Sequence, residues 1–295
     1  MSGLVVTLLV RDEADIVAAT IEHHLAQGAA QLIVTDNGSV DATTEILEDY
    51  AGAGVLRLLH EPEQNYAQSA WVTRMARLAA TDYAADWVVN ADADEFWTPR
   101  ESGLALAAVL GRIDPAYALV EARRDDLRAA RSDRRPWPSA NVWRDSQTQR
   151  EDGRPLGPKT AHRGLPDVLV AQGNHGVSAE QPLRTFPGDP LMIYHLPLRG
   201  WREFERKIVN GGTAYAANTE LSAEVGWHWR EDYALQQAGR LRNAYEQRRL
   251  GRADRRRLVA SGRLWRDTAL RDALRDRVAG AVRPERLRAV LDAAG

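Results

Sequence analysis

Residues 4–15 read Leu-Val-Val-Thr-Leu-Leu-Val-Arg-Asp-Glu-Ala-Asp. The apolar run over residues 4–10 has no polar alternation, and its β-branched members suit a strand buried on both faces. The spacing predicts a helix over 13–27, ended by Gly28. A short strand follows at 32–34, then the turn residues Asp36-Asn37-Gly38-Ser39, and a helix capped by Asp41 through Tyr50. The pattern repeats with a strand at 55–59, a helix at 66–80 and a strand at 87–90. Strands and helices alternating at this spacing predict an α/β fold with a mostly parallel sheet flanked by helices. In such sheets the loops after the strands share one edge, and ligands bind there.

Beyond residue 100 the rhythm weakens. A helix is expected at 104–112, strands at 116–121, 167–171 and 191–195, and loop or short strands over a ligand at 134–164. The segment 201–217 reads as a helix interrupted by Gly211-Gly212, and from Trp229 onward the chain reads helical, broken at Gly251, Gly262 and Gly280 to Pro284. The division expected is a core over 1–228 and a helical C-terminal extension over 229–295.

Composition sets the outer limits. With 295 residues, 44% hydrophobic and 27% charged, the chain can bury a sizeable core. It has no cysteine, which excludes disulfides, thiolate zinc sites and iron–sulfur clusters. No apolar run approaches the roughly 20 residues of a membrane span, and the N-terminus lacks the pattern of a signal peptide, so a cytoplasmic enzyme is expected. A net charge of −2 gives no general reason to seek nucleic acid or membrane. Charge is nonetheless uneven: residues 240–291 hold 16 arginines, no lysine and 6 acidic residues. Amphipathic helices packed on the core or on a second subunit, with solvated arginine faces, are favoured there over a polyanion site. The whole chain has two lysines, Lys159 and Lys207, where a compact ammonium would differ from an arginine fork.

The sharpest chemical feature is Asn90-Ala91-Asp92-Ala93-Asp94-Glu95-Phe96-Trp97. Apolar neighbours place its three carboxylates partly in the interior, where they need a cation. Asp92 and Asp94 point the same way in an extended stretch, and hard oxygen ligands on one face suit magnesium or manganese. Two more strand ends, with Arg11 and Glu13 after the first and Asp36 after the second, put polar groups where a nucleotide would lie.

Together, residues 10–15, 34–43 and 90–97 resemble the nucleotide-sugar half of family 2 glycosyltransferases with the GT-A (Rossmann-like) fold. Their bacterial branch with an Asp-Ala-Asp-Glu-Phe motif is the most similar. The likeness covers residues 4–100, thins over 155–215 and is absent from the C-terminal region, so 1–100 would be the nucleotide-sugar half and 101–228 the acceptor half. It implies sugar transfer from a nucleoside-diphosphate donor to an acceptor hydroxyl, usually with inversion and with Mn or Mg. It also implies that Asp36 contacts the base, Asp92 the ribose or the metal, and Asp94 the metal, with Glu13 near the nucleoside. One departure is Asn37, where many members carry a second Asp.

The chemistry then requires a metal shell, a phosphate clamp and a base. His195, ending an apolar strand, is either a satisfied core histidine or the group completing the metal shell. His175 is the first candidate base, with Glu95, Asp125, Asp167 and Glu180 as rivals. Lys207, Lys159, Arg163 and Arg199 are candidate clamps, and Trp97 adjoins the acidic loop near the sugar. The acceptor is open: a small molecule, a glycan or a lipid-linked group, with no nucleic acid expected. A nucleotidyltransferase would want a Gly- and Arg-rich loop after the first strand, where this chain is acidic. A non-catalytic carbohydrate-binding protein would have no use for the retained carboxylates.

Overall fold

The computed structural model describes residues 3–63, 67–147, 157–217 and 227–293. The expected helix start at residue 66, the middle of the 134–164 stretch and the approach to the boundary at 228 lie outside the described residues.

Strand β1 (Leu4–Val10) is the middle of a parallel unit. It pairs with β2 (Ala29–Asp36) on one side and β4 (Trp87–Asp92) on the other, and β2 pairs with β3 (Leu56–His60), all in parallel. The crossovers are the helices α1 (Val17–Ala26), α2 (Thr43–Gly52) and α3 (Gln68–Tyr83). The continuous apolar reading of β1 has a simple cause. Leu4, Val6, Leu8 and Val10 pack in the main core with α1, whereas Val5 faces Met75 and Val72 of α3, so both faces are dry.

The other half of the sheet is mixed. β4 is followed by β5 (Glu95–Pro99), α4 (Leu106–Leu110), the long β6 (Leu119–Ala129), α5 (Trp137–Ala140), β7 (Asn141–Asp145) and β8 (Lys159–Arg163). A two-strand ribbon of β9 (Leu169–Val170) and β10 (Val177–Ser178) comes next, then β11 (Leu191–His195). β8 lies antiparallel between β4 and β6, and β11 joins β5 antiparallel and β6 in parallel. The stretch read as loop or short strands thus holds two strands of the central sheet, one of which delivers Lys159 beside the acidic loop.

Helix α6 (Trp201–Ala217) runs without a break through Gly211 and Gly212. The glycine is there for contact: a Cβ on Gly212 would stand 2.4 Å from Cγ of Tyr233 on α7 (Trp227–Gln237). After α8 (Leu241–Arg248) and α9 (Arg252–Ala260), the expected all-helical course is interrupted by β12 (Leu264–Arg266), an edge strand antiparallel to β7. Helices α10 (Ala269–Arg277) and α11 (Pro284–Asp292) then return to α1, where Leu270, Leu274, Leu287 and Val290 complete the main core. Among the described residues no helix is long and apolar enough to cross a membrane.

Candidate active site

The strand ends are in register: Val10 lies opposite Asp36, and Leu9 opposite Asp92. Beside them, under α6, opens a cleft of about 210 Å³. Arg11, Glu13, Asp92, Asp94, Arg199 and Lys207 all line it, so six of the residues singled out from sequence meet there. Glu203, Lys207 and Asn210 also line it, at helical spacings of four and three that put them on one face of α6.

Asp12 holds this edge together. Its backbone is left-handed (φ 56°), a conformation Asp tolerates better than most residues. Its Oδ1 accepts from the Val40 amide at 2.7 Å and its Oδ2 from Asn210 Nδ2 at 2.6 Å, while the carbonyl of Asp12 accepts from Arg206 Nη2 at 2.5 Å. One turn therefore ties the first strand end to the second and to α6. That turn also accounts for the late start of α1, at Val17 rather than near residue 13.

Glu13 and Asp15 leave the same turn to grip Arg199, whose Nε donates to Asp15 Oδ2 at 2.6 Å and whose Nη2 donates to Glu13. Burial pushes the Glu13 carboxyl up to about 7, against the pull of Arg199 and Lys207. Asp94 behaves oppositely. Burial works against its charge, but Lys207 (Nζ to Oδ2, 2.8 Å), His195 and Arg199 outweigh it and hold the carboxyl far below the ordinary range. Lys207 responds in kind: burial favours its neutral form, and Asp94 and Glu13 more than reverse that.

Asp92 is served from the other side. Its Oδ2 accepts from Lys159 Nζ at 2.8 Å and its Oδ1 from Asn174 Nδ2 at 3.1 Å. Lys159 is 1% exposed and also reaches Glu95 at 3.2 Å, so this candidate clamp is buried between two carboxylates and does not line the cleft. Glu95 is fully buried under Lys159 and Arg124 and does not line the cleft, and burial raises its pKa.

The ligand set expected for a divalent ion, Asp92, Asp94 and His195, does not fit one here. His195 Nε2 is 3.9 Å from Asp94, and its Nδ1 is 2.7 Å from Asp126 Oδ1. Both aspartates carry an ammonium group at hydrogen-bond distance. Among the described residues no three His, Asp or Glu side chains gather as a metal-binding group.

The remaining expected residues lie off the cleft. Asp36 is buried and accepts from Ser39 Oγ and Thr44 Oγ1, each at 2.6 Å, so it shapes the turn after β2. His175 follows a short 3₁₀ turn (Gln172–Asn174) at the surface. Its Nδ1 is 3.1 Å from the Pro158 carbonyl, and partial desolvation lowers its pKa. Trp97, expected near the sugar, is fully buried core; the tryptophan that does line the cleft is Trp71. Arg163 stacks 4.1 Å from the ring centroid of Trp87 and donates to the Ile113 carbonyl, a structural role. Asp12, Arg206 and Asn210 were not singled out by sequence, although Asn210 adjoins the glycine pair and repeats the spacing from Lys207.

The sequence profile of glycosyl transferase family 2 matches residues 5–164, more than half of the chain. The chain belongs to this family. It is a glycosyltransferase, and the α/β sheet with helices on both faces is the GT-A arrangement expected. No protein of curated function matches the sequence. Among solved structures it is similar to S. aureus TarS 1–349 in complex with UDP, with 11% identity, 80% of this chain and 70% of that one covered, and a TM-score of 0.43. The structure of TarS 1–349 gives 12% identity, 98% and 83% coverage and a TM-score of 0.42. A third, glucosyl-3-phosphoglycerate synthase from Mycobacterium tuberculosis with Mn2+, UDP and glucosyl-3-phosphoglycerate, gives 23% identity, 42% and 44% coverage and a TM-score of 0.30.

Proposed function

We propose that this family 2 glycosyltransferase moves a sugar, with inversion, from a nucleoside diphosphate to an acceptor hydroxyl at the cleft between β1, β4 and α6. The observation carrying the reading is the convergence of Glu13, Asp92 and Asp94 with Arg11, Arg206 and Lys207 on one opening at the strand ends. Cations lining that opening suit a diphosphate, whose charge grows as the sugar departs. Trp71 adds an aromatic wall suited to a base or a sugar.

In the transfer, the anomeric C–O bond breaks with its electron pair going to the diphosphate. The acceptor oxygen bonds to the opposite face of that carbon and gives up its proton. Glu13 is the proposed proton acceptor: it stands on the cleft wall, and at about 7 its carboxyl is matched to taking a proton near neutral pH. Arg199, gripped by Glu13 and Asp15, orients that carboxylate. The family resemblance implies a divalent ion as well, and one bound by Asp92 and Asp94 would have to displace two ammonium groups.

A thermal-shift screen of UDP-, GDP- and dTDP-sugars tests the donor. One nucleotide class should stabilise the fold, increasingly with the logarithm of its concentration. A flat response to all of them contradicts the reading. NMR of the product then reports whether the anomeric configuration is inverted.

A further inference from the structure

The only two lysines of the chain both end on the Asp-Ala-Asp stretch. Lys159 comes from β8 and meets Asp92 at 2.8 Å, and Lys207 comes from α6 and meets Asp94 at 2.8 Å. A chain that uses arginine nearly everywhere else keeps ammonium groups at these two positions. Clustered, partly buried carboxylates need cations, and here the fold itself brings them. Lys159, Lys207, Arg124 and Arg199 stand against Asp92, Asp94, Glu95, Glu13 and Asp15 within contact distance. The acidic run is therefore close to balanced before any ion arrives.

The geometry around Asp94 works against a further cation. Beyond Lys207, its Oδ2 has Arg199 Nη1 at 3.8 Å and His195 Nε2 at 3.9 Å. A doubly charged ion on that oxygen would meet like charge from Lys207 and Arg199 at once. Lys207 can instead do an ion's electrostatic work. Its side chain is 38% exposed on the cleft, unlike that of Lys159, and an ammonium has three donors, of which Asp94 takes one. An arginine gripping Asp94 with its planar fork would have less left to offer.

We infer that Lys207, anchored on Asp94, supplies the positive charge on which the diphosphate leaves, so that transfer proceeds without a divalent ion. The inference rests on the reading of the cleft as the donor site. As the anomeric C–O bond breaks and its electron pair passes to the diphosphate oxygen, Lys207 keeps its proton and donates hydrogen bonds to that oxygen. Asp92 and Asp94 act as anchors for ammonium groups, and Lys159 neutralises the buried end of the run.

Calorimetric titration of the full chain with UDP-glucose, GDP-mannose and dTDP-glucose, in EDTA and again in manganese, tests this. The donor that binds should do so with dissociation constants in EDTA and manganese agreeing within about threefold and should release its nucleoside diphosphate to water at equal rates in both, and Lys207→Ala should slow that release about 100-fold in EDTA, the scale of losing one charge-stabilising donor. Lys207→Arg should recover part of that loss. Binding that requires manganese overturns the inference and leaves the donor-cleft reading intact, as does tighter manganese-dependent binding by Lys207→Ala. Binding under neither condition overturns both. Should Lys207→Ala fail to fold, the EDTA and manganese titrations of the unmodified chain decide alone.

Discussion

The cleft arranges its charges around open space, whereas the C-terminal region spends its charges on the core. Around Asp92 and Asp94, ionised groups from β4 and α6 face a cavity that a ligand can enter, while Lys159 of β8 backs Asp92 from the interior. In the C-terminal region the arginines are used one by one. Arg277 and the Arg283 amide bind the buried Glu22 of α1, and Arg286 binds Glu45 and Asp49 of α2. Arg263 forks onto Asp145 at 2.6 and 3.1 Å, and Arg248 onto Asp232 at 2.8 and 2.7 Å. Glu22, Glu45, Asp49 and Asp145 all lie in the N-terminal half of the chain, the first and last of them buried, so the arginine excess of one part answers acidic groups of the other. A charge run marks a ligand site when its partners surround a void, and a docking seam when they close it.

Replacing the proposed proton acceptor, Glu13→Gln, should lower turnover by roughly 10²–10⁴. In the unmodified protein, turnover should rise as pH increases through about 7, because the Glu13 carboxyl there passes from its protonated to its accepting form; the variant should lose that limb of the pH–rate profile. Asp94→Asn should cost about 10²–10³ in kcat/KM by unseating Lys207, measured by release of nucleoside diphosphate.

On the docking side, Glu22→Ala leaves the Arg277 fork, the Arg283 amide and the Tyr50 hydroxyl without their buried acceptor. Stability should fall by about 3 kcal/mol in urea denaturation, while kcat/KM of the folded fraction stays within twofold of the parent. A large change in turnover would mean that the C-terminal helices serve the cleft after all. The smallest effect is expected at Arg257, whose pair with Asp254 is exposed on both sides. Arg257→Ala should move stability by no more than about 0.5 kcal/mol.

Much of the cleft was legible because its residues are local to strand ends. The alternation of β1, α1, β2, α2, β3, α3 and β4 follows from short-range periodicity, and Asp92 and Asp94 fall where β4 stops. What was illegible depends on residues far apart in the chain. Lys159 meets Asp92 across 67 positions through a strand hidden in a Pro- and Arg-rich stretch, and Arg199 meets Asp15 across 184. Nothing local in Leu264–Arg266 marks an edge strand; its partner β7 makes it one. By propensity alone the glycine pair of α6 marks a break, because propensity sees only the helix; Tyr233, close against Gly212, supplies the reason for that glycine from outside. That the carboxylates would need cations was foreseen, but that Lys159 and Lys207 stand against them required the fold.

The cleft beside Asp94 is proposed to receive the diphosphate of a sugar nucleotide. A crystal structure of the protein with the donor that stabilises it most tests this directly. Diphosphate oxygens should lie within hydrogen-bond reach of Lys207 Nζ, with Trp71 against the base or the sugar. A nucleotide bound elsewhere, with Asp92 and Asp94 turned from it and Lys207 untouched, would contradict it.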